Sequence, residues 1–102
     1  MLFQAHPFRN RDYITNPDEK LPLHLIDGIE SLNRSNTEED NIKALKYATE
    51  NSLRQIAGSD SHREEFGVRR FGIECEHRIS SEAELARVLL SDDYKLHVEI
   101  YE

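Results

Sequence analysis

The first third of the chain consists of two short apolar stretches separated by a long loop. Leu2–Ala5 is mostly apolar and lies just before Pro7. Because proline disfavours helical backbone in the residue before it, this stretch is predicted to be a strand that runs into a loop. The loop from Phe8 to Leu25 contains two of the three prolines, which argues against a long helix. Ile26–Leu32 is predicted to form a second strand that ends at Asn33.

The segment after Asn33 has the pattern of an amphipathic helix. The Thr37 hydroxyl can accept a hydrogen bond from a free N–H group of the first turn, and acidic residues follow at the positive end of the helix dipole. Apolar residues then recur at helical spacing, and the helix is predicted to end near Asn51. These apolar residues are Ile42, Leu45 and Ala48.

The rest of the chain is predicted to form three further strands and a second helix. Leu53–Ala57 has the character of a buried strand, and Phe71–Cys75 and Leu96–Ile100 alternate apolar with polar residues. Between the last two strands, Ser81 and Glu84 have the spacing of a capping box, which indicates the start of a helix.

Strands that alternate with helices indicate an α/β fold built from βα units with parallel strands. In such sheets ligands bind at the carboxyl ends of the strands, because the loops that follow the strands meet at one edge. The residues directly after Ala5, Leu32 and Ala57 are therefore the expected location of a functional site.

Length and charge narrow the classes of function. The chain has 102 residues, a length that predicts one domain with a small core. It has 13 Lys and Arg against 20 Asp and Glu, which gives a net charge of −7. The acidic surplus disfavours binding to a nucleic-acid backbone. No apolar stretch reaches the length of a membrane helix, and the N-terminus lacks a signal-peptide pattern. With Cys75 as the single cysteine, we expect a cytoplasmic protein with no membrane partner.

Three candidate metal ligands follow predicted strands. His6 follows the first strand, and Asp60 and His62 follow Leu53–Ala57 at a spacing that puts both side chains on one face of an extended segment. Imidazole and carboxylate groups bind borderline divalent metals and leave a coordination position for water. Each pattern alone also has a structural interpretation, because Asp-x-His is common by chance and a histidine before proline is often a turn residue.

Two arginines beside these residues are candidates for binding phosphate. Arg9 lies three residues after His6, and Arg63 directly follows His62. A guanidinium group matches the geometry of phosphate oxygens. The alternative is that each arginine balances neighbouring glutamates.

Three segments, taken in order, resemble the late motifs of the polymerase and histidinol phosphatase (PHP) family of metal-dependent phosphoesterases. The resemblance extends from Leu2 to about Leu96, and as an ordered set the motifs are specific. The segments are Ala5-His6-Pro7-Phe8-Arg9, Leu25-Ile26-Asp27-Gly28-Ile29-Glu30 leading to Asn33, and Ala57-Gly58-Ser59-Asp60-Ser61-His62.

This resemblance implies the C-terminal part of a distorted (β/α)7 barrel, with two or three divalent metals (zinc, manganese or iron) at its mouth. His6, Asp60 and His62 match ligands of the family, and Asp60 is also a candidate proton acceptor. The implied activity is hydrolysis of a small phosphomonoester or a nucleotide phosphodiester by a metal-activated hydroxide, with a small phosphorylated molecule as substrate. Asn33 and the arginines match no ligand and are candidates for supporting or phosphate contacts.

The His-x-His pair that opens the family's motifs does not occur in this sequence. We therefore expect residues 1–102 to be a single partial PHP-like domain that lacks the N-terminal half of the barrel and is inactive as this chain alone. The alternative is a non-catalytic half-barrel module that assembles with itself or with a separately encoded N-terminal half, since such a sheet exposes an apolar edge at Leu2–Ala5. A third hypothesis is a site for one metal ion on His6, Asp60 and His62 alone.

Overall fold

The computed structural model describes residues 1–10, 20–60, 69–76 and 78–100. Within these ranges the chain forms five strands, two helices and a short 3₁₀ turn at Leu23–Leu25. The strands are β1 (Phe3–Gln4), β2 (Gly28–Asn33), β3 (Arg54–Gly58), β4 (Arg69–Glu74) and β5 (Lys95–Ile100), and the helices are α1 (Glu38–Glu50) and α2 (Glu82–Ser91). In this part of the chain, neither helix is long and apolar enough to cross a membrane.

The first three strands form a parallel sheet with β2 in the centre. Helix α1 connects β2 to β3, as neighbouring parallel strands require. Phe3 and Arg54 both pair with Gly28 from opposite sides, and a Cβ atom at this position would collide with the Arg54 carbonyl oxygen and the Phe3 ring. Only glycine therefore permits this close approach. The predicted parallel βα arrangement is confirmed here, although β1 is shorter than Leu2–Ala5.

Helix α1 begins where its sequence predicts, but of its three regularly spaced apolar residues only Ala48 lies in the core. The Thr37 side chain accepts a hydrogen bond from the N–H of Asp40 at 3.2 Å, which caps the first turn. The face that contacts the sheet carries small residues, whereas Ile42 and Leu45 are 58% and 50% exposed. The buried core cluster is Ile26, Ile29, Ala44 and Ala48, with Phe8, Tyr47 and Leu53 packed against it.

The predicted parallel arrangement is wrong for the last two strands. β4 and β5 pair antiparallel in a separate two-stranded sheet, with Phe71 opposite Val98 and Ile73 opposite Leu96. Apolar and polar residues alternate along both strands, a pattern typical of an antiparallel sheet with one solvated face. At the end of α2, Asp92 adopts a left-handed backbone conformation, φ 62°, before the chain enters β5. The fold is therefore mixed α/β, with a three-stranded parallel sheet and an antiparallel pair.

Replacing Ile29 by alanine should lower the free energy of unfolding by about 2–5 kcal/mol, because the Ile29 side chain is fully buried in the core cluster and its truncation leaves a cavity. The matched control is Ile42→Ala on the exposed face of α1, which should change the same free energy by less than about 0.5 kcal/mol. Urea denaturation followed by circular dichroism measures both. Equal losses in the two variants would contradict this assignment of the core.

Candidate functional site

The carboxyl ends of β1, β2 and β3 bring polar residues that are distant in sequence to one edge of the parallel sheet. His6 follows β1, Asn33 is the last residue of β2, and Asp60 follows β3. Because the three strands run parallel in adjacent positions, their ends meet. This edge is the candidate functional site.

Arg9 lies at the centre of this edge and is 8% exposed. A turn after β1 carries it there, with the N–H of Arg9 donating to the carbonyl oxygen of His6 at 3.1 Å. Its Nη2 donates to Asn33 Oδ1 at 3.1 Å and to Asp60 Oδ2 at 2.5 Å, and its Nε donates to Asn36 Oδ1 at 2.9 Å. One buried cation therefore links the turn after β1 with the ends of β2 and β3.

Asp60 is held in place by this cation. Its backbone is left-handed, with φ 55°, and its side chain is 19% exposed. The hydrogen bond from Arg9 is the largest influence on the carboxyl group and holds the pKa of Asp60 below its ordinary value of 3.8, although burial acts in the opposite direction. Weaker lowering of this pKa comes from the charge on Arg9, from Asn33 and from the charge on His6.

His6 is positioned by a contact with β2. Its backbone has φ 27°, which is uncommon for a residue other than glycine. Its N–H donates to Oε1 of Glu30 at 2.9 Å, and the same oxygen accepts a hydrogen bond from Asn33 Nδ2 at 2.7 Å. Two of the predicted ligands, His6 and Asp60, therefore sit in left-handed turns at this edge, each tied by a hydrogen bond to a charged side chain.

Asn33 connects these contacts and is 1% exposed. Its Oδ1 accepts hydrogen bonds from Arg9 and from the N–H of Ser35 at 2.8 Å, while its Nδ2 donates to Glu30. Its backbone N–H and carbonyl oxygen each bond to the side-chain amide of Asn41 at 3.1 Å. The end of β2 is thereby attached to α1, and both the oxygen and the nitrogen of the Asn33 side-chain amide are hydrogen-bonded.

The sequence predicted a supporting contact for Asn33, but it suggested no role for Glu30, Asn36 or Asn41. For Glu30 and Asn36 the available signal was their position in and just after the central strand, where ligands and their supporting groups collect, whereas Asn41 lies within α1. That signal identifies positions. It does not identify which amide or carboxylate bonds to which partner, because two of these contacts join distant residues: Glu30 and His6 are 24 positions apart, and Asn36 and Arg9 are 27 apart.

The structure places two of the three predicted metal ligands, His6 and Asp60, at the same edge of the parallel sheet, on either side of the end of β2, whereas His62 and Arg63 lie outside the described residues. In the described ranges, no group of three or more His, Cys, Asp and Glu side chains is placed to hold a metal ion. An imidazole and a carboxylate are donor types that fit zinc, manganese or iron. His6 and Asp60 supply these two donor types at one edge, where the Asp60 carboxylate pairs with Arg9.

Replacing Asp60 by asparagine should lower the free energy of unfolding by about 1–3 kcal/mol at neutral pH, because Arg9 then stays buried without its charged partner. The pKa of Asp60 is lower in the folded chain, so the carboxylate stabilises the fold above its unfolded pKa, and this contribution is lost as the pH falls through the folded pKa. The difference in free energy of unfolding between wild type and Asp60→Asn should thus be constant above about pH 5 and should shrink in more acidic solution. Urea denaturation in EDTA measures it.

The matched control for this prediction is Asp93→Asn, at an exposed position between α2 and β5. It should change the free energy of unfolding by less than about 0.5 kcal/mol. A stability difference between wild type and Asp60→Asn that did not vary with pH would contradict a stabilising Asp60 carboxylate.

Comparison with known protein families supports the resemblance in the sequence. The family model described as PHP-associated matches residues 38–93, which is more than half of the chain. The matched range runs from α1 to just beyond α2 and includes Asp60 and His62, but it does not include His6, Arg9 or Glu30. No curated protein and no solved structure matches the chain. On the family match, the chain belongs to the PHP-associated family.

Proposed function

We propose that this chain is a C-terminal segment of a metal-dependent phosphoesterase of the PHP type, built on part of a (β/α)7 barrel. In this proposal His6, Asp60 and His62 contribute part of the ligand set of a divalent metal centre, and the remaining ligands come from elsewhere. The complete enzyme hydrolyses a small phosphomonoester or a nucleotide phosphodiester, and the segment alone has little or no activity.

The observation that carries the proposal is the position of His6 and Asp60 at the same carboxyl edge of the parallel sheet. They follow β1 and β3, which flank β2 on opposite sides. Both have left-handed backbones, a conformation that persists when the surrounding contacts hold it and that is frequent at functional sites.

The metal would be zinc, manganese or iron, since mixed imidazole and carboxylate donors accept each of these ions. The chemistry that such a metal supplies when bound is activation of water near neutral pH and polarisation of a phosphoryl oxygen. The chain's own residues orient the donors. Arg9 fixes the Asp60 carboxylate, and Glu30 fixes the backbone of His6.

Arg9 has a positioning role in this proposal. Its guanidinium donates to Asn33, Asn36 and Asp60 and is buried, so a direct contact with phosphate would break bonds that hold the edge together. Arg63 remains the candidate for a phosphate contact. An acidic chain with a net charge of −7 can act on a phosphorylated substrate when metals and local arginines supply the positive charge.

Zinc titration of the metal-free chain by calorimetry tests this proposal. One equivalent of zinc should bind, and His6→Ala, Asp60→Asn and His62→Ala should each weaken binding by at least about tenfold, since each removes a ligand. Binding should also weaken below about pH 6, because a histidine ligand must be neutral. The matched control is His24→Ala at the exposed 3₁₀ turn, which should leave binding unchanged. Absence of binding, or equal effects of all four substitutions, would refute the metal site.

The second candidate function is a non-catalytic module that pairs with a second copy of itself through the edge of the parallel sheet. This candidate is favoured by the position of β1 at the end of the strand order β1-β2-β3. Leu2, beside this edge strand, is 48% exposed, and an apolar sheet edge recruits further strands.

Light scattering at micromolar concentration tests the module. Self-association through β1 should give a dimer that Leu2→Lys converts to a monomer, because a charged side chain at a sheet edge opposes further pairing. The matched control is Leu90→Lys on α2, whose side chain is 45% exposed and which should remain dimeric. A monomeric wild type would exclude obligate self-assembly.

A further inference from the structure

The carboxylate of Glu30 contacts the ends of all three parallel strands. Its Oε1 accepts hydrogen bonds from the His6 N–H after β1 and from Asn33 Nδ2 at the end of β2. Its Oε2 lies against Gly58, the last residue of β3. The sequence alone suggested no role for Glu30.

Gly58 is required by this arrangement. A Cβ atom built at position 58 would lie 2.5 Å from Glu30 Oε2, far inside van der Waals contact. The backbone there cannot easily retreat, because the Gly58 carbonyl oxygen accepts a hydrogen bond from the Arg34 N–H at 3.0 Å. Any side chain at position 58 would therefore displace the Glu30 carboxylate and, with it, the acceptor of the His6 N–H.

The same carboxylate is the first member of a continuous series of hydrogen bonds across the edge. Glu30 accepts from Asn33 Nδ2, Asn33 Oδ1 accepts from Arg9, and Arg9 donates to Asp60. One end of the series holds His6 and the other end holds Asp60. The fully buried amide of Asn33 permits only one orientation, with oxygen toward Arg9 and nitrogen toward Glu30.

We infer that Glu30 is the positioning residue of this site, that it sets the left-handed turn at His6, and that Gly58 leaves the space that its carboxylate occupies. Glu30 acts on the candidate ligands through hydrogen bonds and is not itself placed among the ligands. The assignment of His6 and Asp60 as the residues served by this network rests on the proposed function, whereas the contacts of Glu30 do not.

Amide hydrogen exchange of His6, measured by NMR on the full chain without metal, tests this inference. Glu30→Ala and Gly58→Ala should each raise the exchange rate of the His6 amide about tenfold, because each removes its acceptor. Glu30→Gln should keep the wild-type rate, since a glutamine carbonyl oxygen can accept the same two hydrogen bonds. Adding Gly58→Ala to Glu30→Ala should cause no further change, because the colliding group is then absent.

The matched control is Gly72→Ala in β4, where a Cβ atom would meet nothing within 4 Å and where the His6 amide should exchange as in wild type. Wild-type exchange in Gly58→Ala would overturn the inference, and so would an effect of Gly58→Ala that persists in the Glu30→Ala background. If Gly58→Ala alone does not fold, recovery of the fold in the double variant supports the inference, and failure to recover overturns it.

Zinc titration separates this inference from the proposed function. If both hold, Gly58→Ala should weaken zinc binding by about tenfold or more, as loss of a group that orients a ligand does, and Gly72→Ala should not. If wild type does not bind zinc while the His6 amide responds as described, the proposed function fails and the positioning role stands. If zinc binds normally in Gly58→Ala and the His6 amide is unchanged, the positioning role fails and the proposed function stands.

Discussion

A buried guanidinium group joins the strand ends of this protein, and the geometry of the candidate site depends on it. Burial of a charge is costly unless the charge is paired and hydrogen-bonded, and Arg9 meets this condition with the carboxylate of Asp60 and the amide oxygens of Asn33 and Asn36. These partners come from the ends of β2 and β3 and the turn after β2. Because burying Arg9 without partners would be costly, the fold favours the arrangement of strand ends in which Asn33, Asn36 and Asp60 all reach the guanidinium group.

The apolar core is small, so polar contacts order much of the parallel sheet's carboxyl edge. In the described ranges the core cluster has four residues and lies between the sheet and α1, and of the turn that carries His6 it is Phe8 that packs against it. His6 and Asp60 have left-handed backbones, which are unfavourable for residues other than glycine unless neighbouring groups hold them. Glu30 supplies such a contact for His6, and Arg9 supplies one for Asp60. A network of this kind can preorganise a site before any ligand binds.

Local patterns predicted most of the elements. The sequence predicted the capped starts of both helices, at Thr37 and at Ser81, and the apolar stretches of β2 and β3. It could do so because caps and periodicity depend on neighbouring residues only. The pairing direction of β4 and β5 was predicted wrongly, since strand direction depends on which segments meet. Of the three apolar residues that predicted α1, Ala48 is buried, whereas Ile42 and Leu45 are exposed and Ala44 takes the second core position on the helix.

The sequence by itself determined the kind of protein. An ordered set of motifs around His6, Glu30 and Asp60 pointed to the PHP family, which the match over residues 38–93 supports, and βα alternation pointed to the carboxyl edge of a parallel sheet. Tertiary structure alone decided the contacts at that edge. The Glu30 carboxylate meets His6, Asn33 and Gly58, and Arg9 meets Asp60, through distances that depend on strand order and register. Such contacts join residues up to 51 positions apart, and no local periodicity encodes them because they exist only once the strands have paired.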